Sequence, residues 1–329
     1  MYKTGDLAPK PMELVHTYQI SFNELKTEKI DCMIAASGFH ARCTYIAENI
    51  DLERTYKLMI TFDETDNINL KKENELIFEE LGFLSVSSSS KSGEKIEKLL
   101  NNICNNSASE NLNILIDYSC MPKLWISTIL DFINNNESLK QKINIFFAYT
   151  PKKFIPNVKK TVDFLGPISE TTDLVQNDKD ISLLTGLDNN SEFITTLIDT
   201  INPQKIYAFV PEPSFNKGYS ESVMETNKSL LDKVDKDNII KYPANNPEHI
   251  NSLLTSLCLQ LRLDSKIVIV PQGPKTFALT SLLLSIRYPD IKLWEIISKD
   301  IAFNKEEGVA SGKPIVLKTI FCSDDEDED

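Results

Sequence analysis

Short runs of apolar residues alternate with segments of helical periodicity along most of this chain. Tyr56–Phe62 (YKLMITF), Leu112–Asp117 (LNILID) and Lys266–Val270 (KIVIV) are examples of such runs, and each leads through a polar stretch into an amphipathic segment. Strands in which nearly every residue is apolar are buried on both faces, as in a parallel sheet covered by helices on both sides. The alternation therefore predicts an α/β fold with a doubly wound parallel sheet.

The pattern occurs twice. The first cycle runs over 31–149 and the second over 181–296, and a stretch rich in Pro and Thr joins them. We predict two tandem Rossmann-like halves that arose by internal duplication. The predicted organisation is an N-terminal arm over 1–25, a first half over 26–165, a second half over 166–322 and a disordered acidic tail over 323–329.

Charge and composition exclude several classes of function. The formal net charge is −13, and the last six residues are all acidic, whereas a surface for duplex nucleic acid needs clustered Lys and Arg. The six cysteines lack C-x-x-C spacing and only three histidines occur, so we expect no metal site and reduced, cytoplasmic thiols. A signal segment and an apolar run of about 18 residues are both missing, so neither export nor a membrane span is predicted.

Familiar cofactor and nucleophile motifs are also missing. No G-x-G-x-x-G follows an apolar run, and Pro271–Thr276 (PQGPKT) lacks the spacing of a P-loop. No G-x-S-x-G elbow occurs for a serine hydrolase. The sequence therefore predicts no bound cofactor and names no catalytic residue.

Two strand-to-helix loops, one in each half, have similar chemistry. NILIDYSCMPKLW and KIVIVPQGPKTF each run from an apolar strand through a polar loop to Pro-Lys and a helix. Helix N-termini at the carboxyl ends of parallel strands present free N–H groups, and a lysine in the first turn adds a charge that suits phosphate. We therefore expect Lys123 and Lys275 to bind an anion, although each Pro-Lys pair is also a plain helix start with a solvated lysine. The expected binding residues of the second loop are Gln272, Gly273, Lys275 and Thr276.

The first of these loops resembles a known signature. Ile116–Lys123 (IDYSCMPK) is similar to the loop after strand four of CARF domains, the Rossmann-like sensors of cyclic oligoadenylates in prokaryotic immunity. That family's loop typically reads Asp-x-Thr-Gly-Gly-Thr-Lys. Asp117, Ser119 and Lys123 match it in type, whereas Cys120 and Met121 replace the glycine pair.

The resemblance also implies a role for the loop after the first strand of the first cycle. Here that loop is Ser37–Arg42 (SGFHAR). Gly38 permits a turn, and the guanidinium of Arg42 suits an anion. We therefore add Ser37, Gly38 and Arg42 to the expected ligand-binding residues.

The leading functional hypothesis is a sensor or subunit that binds a nucleotide-like or phosphorylated small molecule, in antiviral defence as the resemblance implies. No R-x-x-x-x-H ribonuclease motif appears, so its output would pass through a protein partner with an effector activity or through a homo-oligomer. One alternative is a nucleoside or nucleotide hydrolase or glycosyl transferase that uses a strand-end carboxylate, Asp63 or Asp117. The other is a non-catalytic interaction protein, because a fold of this class does not choose among functions.

Overall fold

The structure is a computed structural model that describes residues 12–63, 69–106, 109–136, 138–139, 141–155, 160–168, 180–189, 192–300 and 308–323. Its strands form two mixed, mostly parallel sheets with interleaved helices, which confirms the predicted α/β class. The strands are β1 (Glu13–Ile20), β2 (Cys32–Ser37), β3 (Tyr56–Phe62), β4 (Leu84–Ser88), β5 (Asn111–Asp117), β6 (Lys142–Tyr149), β7 (Lys160–Pro167), β8 (Asp180–Gly186), β9 (Lys205–Pro211), β10 (Ile239–Tyr242), β11 (Ser265–Val270), β12 (Lys292–Asp300) and β13 (Ile315–Cys322).

The helices follow the strands much as the periodicity predicts. They are α1 (Phe22–Leu25), α2 (Tyr45–Glu48), α3 (Asn69–Glu80), α4 (Glu94–Asn106), α5 (Lys123–Asn135), α6 (Glu192–Ile201), α7 (Tyr219–Thr226), α8 (Lys228–Leu231), α9 (Pro247–Leu261) and α10 (Lys275–Arg287), with short 3-10 helices at Ala41–Thr44 and Lys236–Asn238. The start of α9 has a local cap, because the side chain of Asn246 accepts a hydrogen bond from the backbone N–H of His249 at 2.9 Å.

The first sheet has the strand order β1-β13-β6-β5-β2-β3-β4. The five strands from β6 to β4 in that order are mutually parallel, and β13 and β1 add antiparallel strands at one edge. The order of the parallel strands reverses between β2 and β5, where chain connections leave in opposite directions. Ligands of doubly wound sheets bind at such a switch point, beyond the carboxyl ends of the strands.

The second sheet repeats this arrangement with the order β10-β9-β8-β11-β12-β7. Its switch point lies between β8 and β11, and β7 is the antiparallel strand at the edge. The equivalent strand orders are consistent with two Rossmann-like halves. A duplication in the history of the chain stays a prediction.

Three strands join a sheet to which the predicted linear division of the sequence does not assign them. Within the predicted arm, 13–20 forms β1, and the last strand of the predicted second half, β13, belongs to the first sheet, where Val316 pairs with Ala148. β7, from the joining stretch, pairs with β12 of the second sheet. Pairing partners this far apart in sequence leave no local signal. The first eleven residues and the acidic residues 324–329 lie outside the described residues.

The two halves meet through α5 and α10, which pack against each other. A single cluster of buried side chains contains Trp125 and Ile129 of α5, Phe277 and Leu282 of α10 and strand residues of both sheets. This shared core brings the carboxyl ends of both sheets close to the start of both helices. In the described part of the chain, no helix has the length and apolar character needed to cross a membrane.

Candidate functional site

The switch point of the first sheet is lined by two predicted site residues. Ser37 ends β2 and Asp117 ends β5, and both are buried. Because β2 and β5 are adjacent and parallel, these side chains lie at neighbouring strand ends. A Cβ at Gly38 would lie 3.2 Å from the Cβ of Cys120, so glycine lets the two strand-end loops approach each other. We call this region the β2–β5 crevice and define it by Ser37, Gly38, Arg42, Asp117 and Ser119.

Arg42 lies inside the crevice rather than at its rim. It follows β2 in the 3-10 helix Ala41–Thr44 and is only 4% exposed. Its guanidinium donates hydrogen bonds to the carbonyl oxygens of Ser119, at 2.8 Å, and Thr150. These acceptors are neutral, so they compensate only part of the cost of burying a charge. Nε of Arg42 has no hydrogen-bond partner.

Asp117 and Ser119 tie the loop after β5 to the end of β6. The backbone N–H of Ser119 donates to Oδ1 of Asp117 at 2.9 Å, and Oγ of Ser119 accepts from the N–H of Thr150 at 2.8 Å. Burial raises the pKa of Asp117 to about 6, against the opposing effects of the Ser119 hydrogen bonds and of the positive charge of Arg42 and Lys275. A carboxyl group with this pKa gains or loses its proton near neutral pH.

In the described part of the chain, several buried polar atoms at the carboxyl end of the first sheet have no hydrogen-bond partner. They are Oγ of Ser37, Nε of Arg42, Oδ2 of Asp117, the hydroxyl of Tyr118 and Oγ1 of Thr150. An unsatisfied buried polar group costs about 1–3 kcal/mol, so native proteins hold few of them. Three of these atoms, those of Ser37, Arg42 and Asp117, belong to the β2–β5 crevice, and a polar ligand there would satisfy them.

The side chains of Lys123 and Lys275 each contact the half of the chain to which they do not belong. Nζ of Lys123, at the start of α5, lies 2.9 Å from the carboxylate of Glu295 on β12. Nζ of Lys275, at the start of α10, donates to the carbonyl oxygens of Tyr118, at 3.0 Å, and Met121. Lys275 thus reaches the β2–β5 crevice, whereas Lys123 is held in an ion pair between the halves.

The surroundings of Lys275 are electropositive. Burial, followed by the charge of Arg42 and then that of Lys123, lowers the pKa of Lys275 to about 7, against the opposing negative charges of Cys120 and Asp117. Cations this close repel one another, and an anion between them relieves the repulsion. An anion bound near Arg42 would therefore favour the charged form of Lys275.

The predicted residues of the second switch point are used in packing. A Cβ at Gly186, the last residue of β8, would lie 2.2 Å from the carbonyl oxygen of Gln272, and one at Gly273 would lie 2.7 Å from that of Leu187. The hydroxyl of Thr276 donates to the carbonyl oxygen of Ala244 at 2.8 Å. The loop after β11 is thus in direct contact with the end of β8, where even a methyl group does not fit.

An aromatic stack that the sequence analysis missed borders the crevice. The rings of Phe39 and Phe62 are 6.4 Å apart and those of Phe62 and Trp125 are 4.7 Å apart, both nearly parallel. Trp125 is buried, and its Nε1 donates to the carbonyl oxygen of Ser89 at 2.9 Å. The available signal was an aromatic residue directly after Gly38 and another at the end of β3.

A pair of thiols also lies in this region. Cys120 is partly exposed and packs against the buried cluster that contains Cys43. Interaction with the Cys43 thiol, followed by the positive charges of Arg42 and Lys275, lowers the pKa of Cys120 against the opposing effect of burial. Interaction with Cys120 and burial raise the pKa of Cys43. Spacing along the chain gives no hint that these two cysteines share a cluster.

Asp63, the other carboxylate considered for catalysis, lies at the end of β3. Its carboxylate lies 3.2 Å from Nζ of Lys95 and accepts a hydrogen bond from Ser87. Both side chains of the ion pair are exposed to solvent. This is the arrangement of an ordinary surface ion pair.

No family model matches the chain, and no curated protein matches it.

The arrangement of the crevice supports two kinds of chemistry. Arg42, Lys275 and the hydroxyl of Ser37 are donors for the oxygens of a phosphate or carboxylate group. Asp117, with one free oxygen and a pKa near 6, is suited to accept or donate a proton. Binding of an anion and acid–base catalysis are therefore the functions to be weighed.

Proposed function

We propose that this protein binds a small phosphorylated ligand of the nucleotide class in the β2–β5 crevice and acts as a sensor or regulatory subunit. The observation that carries the proposal is the set of unpartnered polar atoms of Ser37, Arg42 and Asp117 at the switch point of the first sheet. A ligand with several oxygen atoms satisfies such a set in one step.

The charges of the crevice favour phosphate. Arg42 and Lys275 contribute two cations from two halves of the chain, and α5 begins beside them. Pro122, the N-cap residue of α5, makes no side-chain hydrogen bond to the first N–H groups of the helix. Helix N-termini and guanidinium groups are both common partners of phosphate oxygens.

The aromatic stack favours a nucleoside rather than a bare phosphate. Phe39 is partly exposed and lies against Phe62, next to Gly38 of the crevice. Bases stack on such rings with little dependence on their identity. We therefore expect a base to lie on this stack while its phosphate contacts Arg42 and Lys275.

A thermal-shift screen tests this proposal. The purified chain is mixed with inorganic phosphate, ribose 5-phosphate, AMP, ATP, NAD and cyclic oligoadenylates, and a ligand at one hundred times its dissociation constant is expected to stabilise the fold by about 2.7 kcal/mol. Ser37→Ala and Asp117→Asn are expected to weaken the response. Asp131→Asn, which removes a carboxylate bonded to Ser127 on α5, serves as the matched control. A flat response to every compound rules the proposal out.

Acid–base catalysis on a bound nucleoside or nucleotide is the second candidate, and the raised pKa of Asp117 with its unpartnered Oδ2 favours it. In a hydrolase or glycosyl transferase, Asp117→Asn would abolish turnover and leave substrate affinity nearly intact. In a sensor the same change weakens binding and no product forms with the native chain. Chromatography of each compound that shifts the melting temperature separates the two cases.

A sensor passes its signal to another molecule. The proposal therefore includes a protein partner with an effector activity, or a second copy of this chain, that responds to the bound ligand. Antiviral defence is the setting that the resemblance of the loop Ile116–Lys123 suggests. Co-purification and mass spectrometry of assemblies with and without the ligand test this part.

A further inference from the structure

We propose that the cleft between the C-terminal parts of α5 and α10 binds a small aliphatic amino acid. The cleft has a volume of about 210 Å³. One wall of it is formed by α5, and the other by the end of α10 and the start of β12. Asp131 of the first wall would hold the ammonium group of the ligand, and Lys292 of the second wall would hold its carboxylate. This site is separate from the β2–β5 crevice and does not depend on what the crevice binds.

The cleft lies away from the β2–β5 crevice. Asp131 follows Lys123 by about two turns of α5, which is about 12 Å along the helix axis. Lys292 is the first residue of β12, which runs parallel to β11, so it lies at the amino end of that strand. The crevice lies instead beyond the carboxyl ends of the parallel strands of the first sheet. The cleft is therefore a second site, remote from Arg42 and Lys275.

Asp131 gives the cleft a carboxylate without a cation beside it. Its Oδ2 accepts a hydrogen bond from the hydroxyl of Ser127 at 3.1 Å, and both residues line the cleft. In the part of the chain that the structure describes, no lysine or arginine lies within ion-pair distance of Asp131. Burial and, after it, the negative charge of Glu97 raise the pKa of Asp131, against the opposing effect of the Ser127 hydrogen bond. The ammonium group of a ligand would stabilise the charged carboxylate.

Lys292 gives the opposite wall a cation without a carboxylate beside it. Its Nζ donates to the carbonyl oxygen of Pro289 at 3.1 Å, and Pro289 also lines the cleft. Among the described residues, no carboxylate lies within ion-pair distance of this Nζ, so Lys292 and Asp131 do not pair with each other. One cleft thus carries both charges, each with a neutral partner. A ligand that is a zwitterion satisfies both groups at once, through charge-assisted hydrogen bonds.

The size and the remaining walls of the cleft favour an aliphatic side chain. The apolar residues of the lining are Ile168, Ile286, Ile291 and Leu293. Pockets for drug-sized ligands commonly have a volume of about 300–1,000 Å³, so a cleft of about 210 Å³ takes a molecule smaller than a nucleotide. A free amino acid such as valine or leucine is a small molecule that carries both charges and an apolar side chain.

Isothermal titration of the purified, full-length chain tests this site. The probes are alanine, valine and leucine, together with two analogues of leucine at neutral pH: leucinamide lacks the carboxylate, and 4-methylpentanoate lacks the ammonium group. We expect valine and leucine to bind more tightly than alanine, because the apolar walls contact their side chains. We expect each analogue to bind about 10- to 100-fold more weakly than leucine, because each loses one charge-assisted hydrogen bond.

Two variants assign the charges. Asp131→Asn is expected to weaken leucine binding about 10- to 100-fold and to leave the affinity for 4-methylpentanoate unchanged, since that analogue has no ammonium group. Lys292→Gln is expected to weaken leucine binding to a similar extent and to leave the affinity for leucinamide unchanged. Glu97→Gln is the matched control, because Glu97 acts on Asp131 by its charge and does not line the cleft, and it is expected to keep the affinity of the native chain.

The proposal is overturned if none of the three amino acids binds at up to about 10 mM, or if leucine and both analogues bind the native chain equally well. It is also overturned if leucine binds both variants as tightly as the native chain. Circular dichroism checks that each variant is folded, and the analogues test the same two charges on the native chain if one is not. Because Asp131 and Lys292 lie outside the crevice, both variants are expected to keep the response to nucleotides in the thermal-shift screen. Loss of the amino acid site and loss of the nucleotide site are therefore distinguishable.

Discussion

The two switch points share a strand order and differ in what occupies them. Ser37, Asp117 and the buried guanidinium of Arg42 lie at the ends of β2 and β5. Each of these three side chains has a polar atom without a hydrogen-bond partner. Between β8 and β11 the equivalent strand ends are Gly186 and Val270, and the loop after β11 packs directly on β8. The fold therefore provides a switch point in each sheet. Polar side chains line the one between β2 and β5, whereas the loop after β11 fills the one between β8 and β11.

The largest expected effect tests how tightly the second switch point is filled. Gly186→Ala places a methyl group 2.2 Å from the carbonyl oxygen of Gln272 and 2.7 Å from the ring of Phe277, and we expect it to lower the free energy of unfolding by about 3 kcal/mol. Gly38→Ala, its counterpart in the first switch point, meets the Cβ of Cys120 at 3.2 Å and is expected to cost less than about 1 kcal/mol. Urea denaturation of both variants measures the difference. Equal losses would show that the two crevices are equally closed.

The buried carboxylate of the first switch point has no counterpart in the second, and its titration is the next largest effect. The folded-state pKa of Asp117 is raised to about 6, so its contribution to stability is fully present below its unfolded pKa and is lost as pH rises through about 6. We expect a decline on the order of 2–3 kcal/mol between pH 4 and pH 7 that Asp117→Asn removes. Urea denaturation across this range measures it, with Asp63→Asn, at an exposed carboxylate, as the control. A decline that persists in Asp117→Asn would assign it to other groups.

Ligand affinity provides a third comparison between the two switch points. Lys275 belongs to the second half but reaches the first crevice, and the loss of a charge-assisted hydrogen bond in Lys275→Met is expected to weaken binding of a phosphorylated ligand about 10- to 100-fold. Gln272→Ala, three residues earlier on the loop that fills the second crevice, is expected to leave the affinity unchanged. Isothermal titration with the ligand found by the thermal-shift screen measures both. A weaker affinity in Gln272→Ala alone would move the site to the second half.

The smallest effect concerns single hydroxyl groups. Oγ of Ser37 is buried without a partner, so Ser37→Ala is expected to raise the stability of the free protein by about 0.5–1 kcal/mol while it weakens ligand binding. Ser182 is buried on β8 and its hydroxyl lies 2.9 Å from that of Ser265, so Ser182→Ala is expected to lower the stability by a similar amount. Denaturation of the free protein shows whether each substitution raises or lowers the free energy of unfolding.

Part of the crevice was predictable from the order of residue types. Ser37, Gly38, Asp117 and Ser119 directly follow or end apolar runs, and parallel strands bring such positions to one edge of a sheet. The role of Arg42 as an internal cation, with carbonyl oxygens of two separate segments as acceptors, was not predictable, because those acceptors belong to the backbone and carry no sequence signal.

The two lysines show where analogy between the halves fails. Lys123 and Lys275 have the same neighbours in sequence and both begin a helix. One meets the carboxylate of Glu295 and the other meets only carbonyl oxygens of the first half. Their different surroundings follow from how α5 and α10 pack, so no pattern within either loop distinguishes them.

The sequence by itself determined the α/β class and most strands and helices, because these depend on apolar periodicity and on local caps such as Asn246. Only the tertiary structure decided that β1 and β13 complete the first sheet, that Lys275 contacts the other half, and that the guanidinium of Arg42 binds the loop after β5. The physical reason is that these contacts join residues far apart in the chain, which tertiary packing brings together and no local pattern specifies.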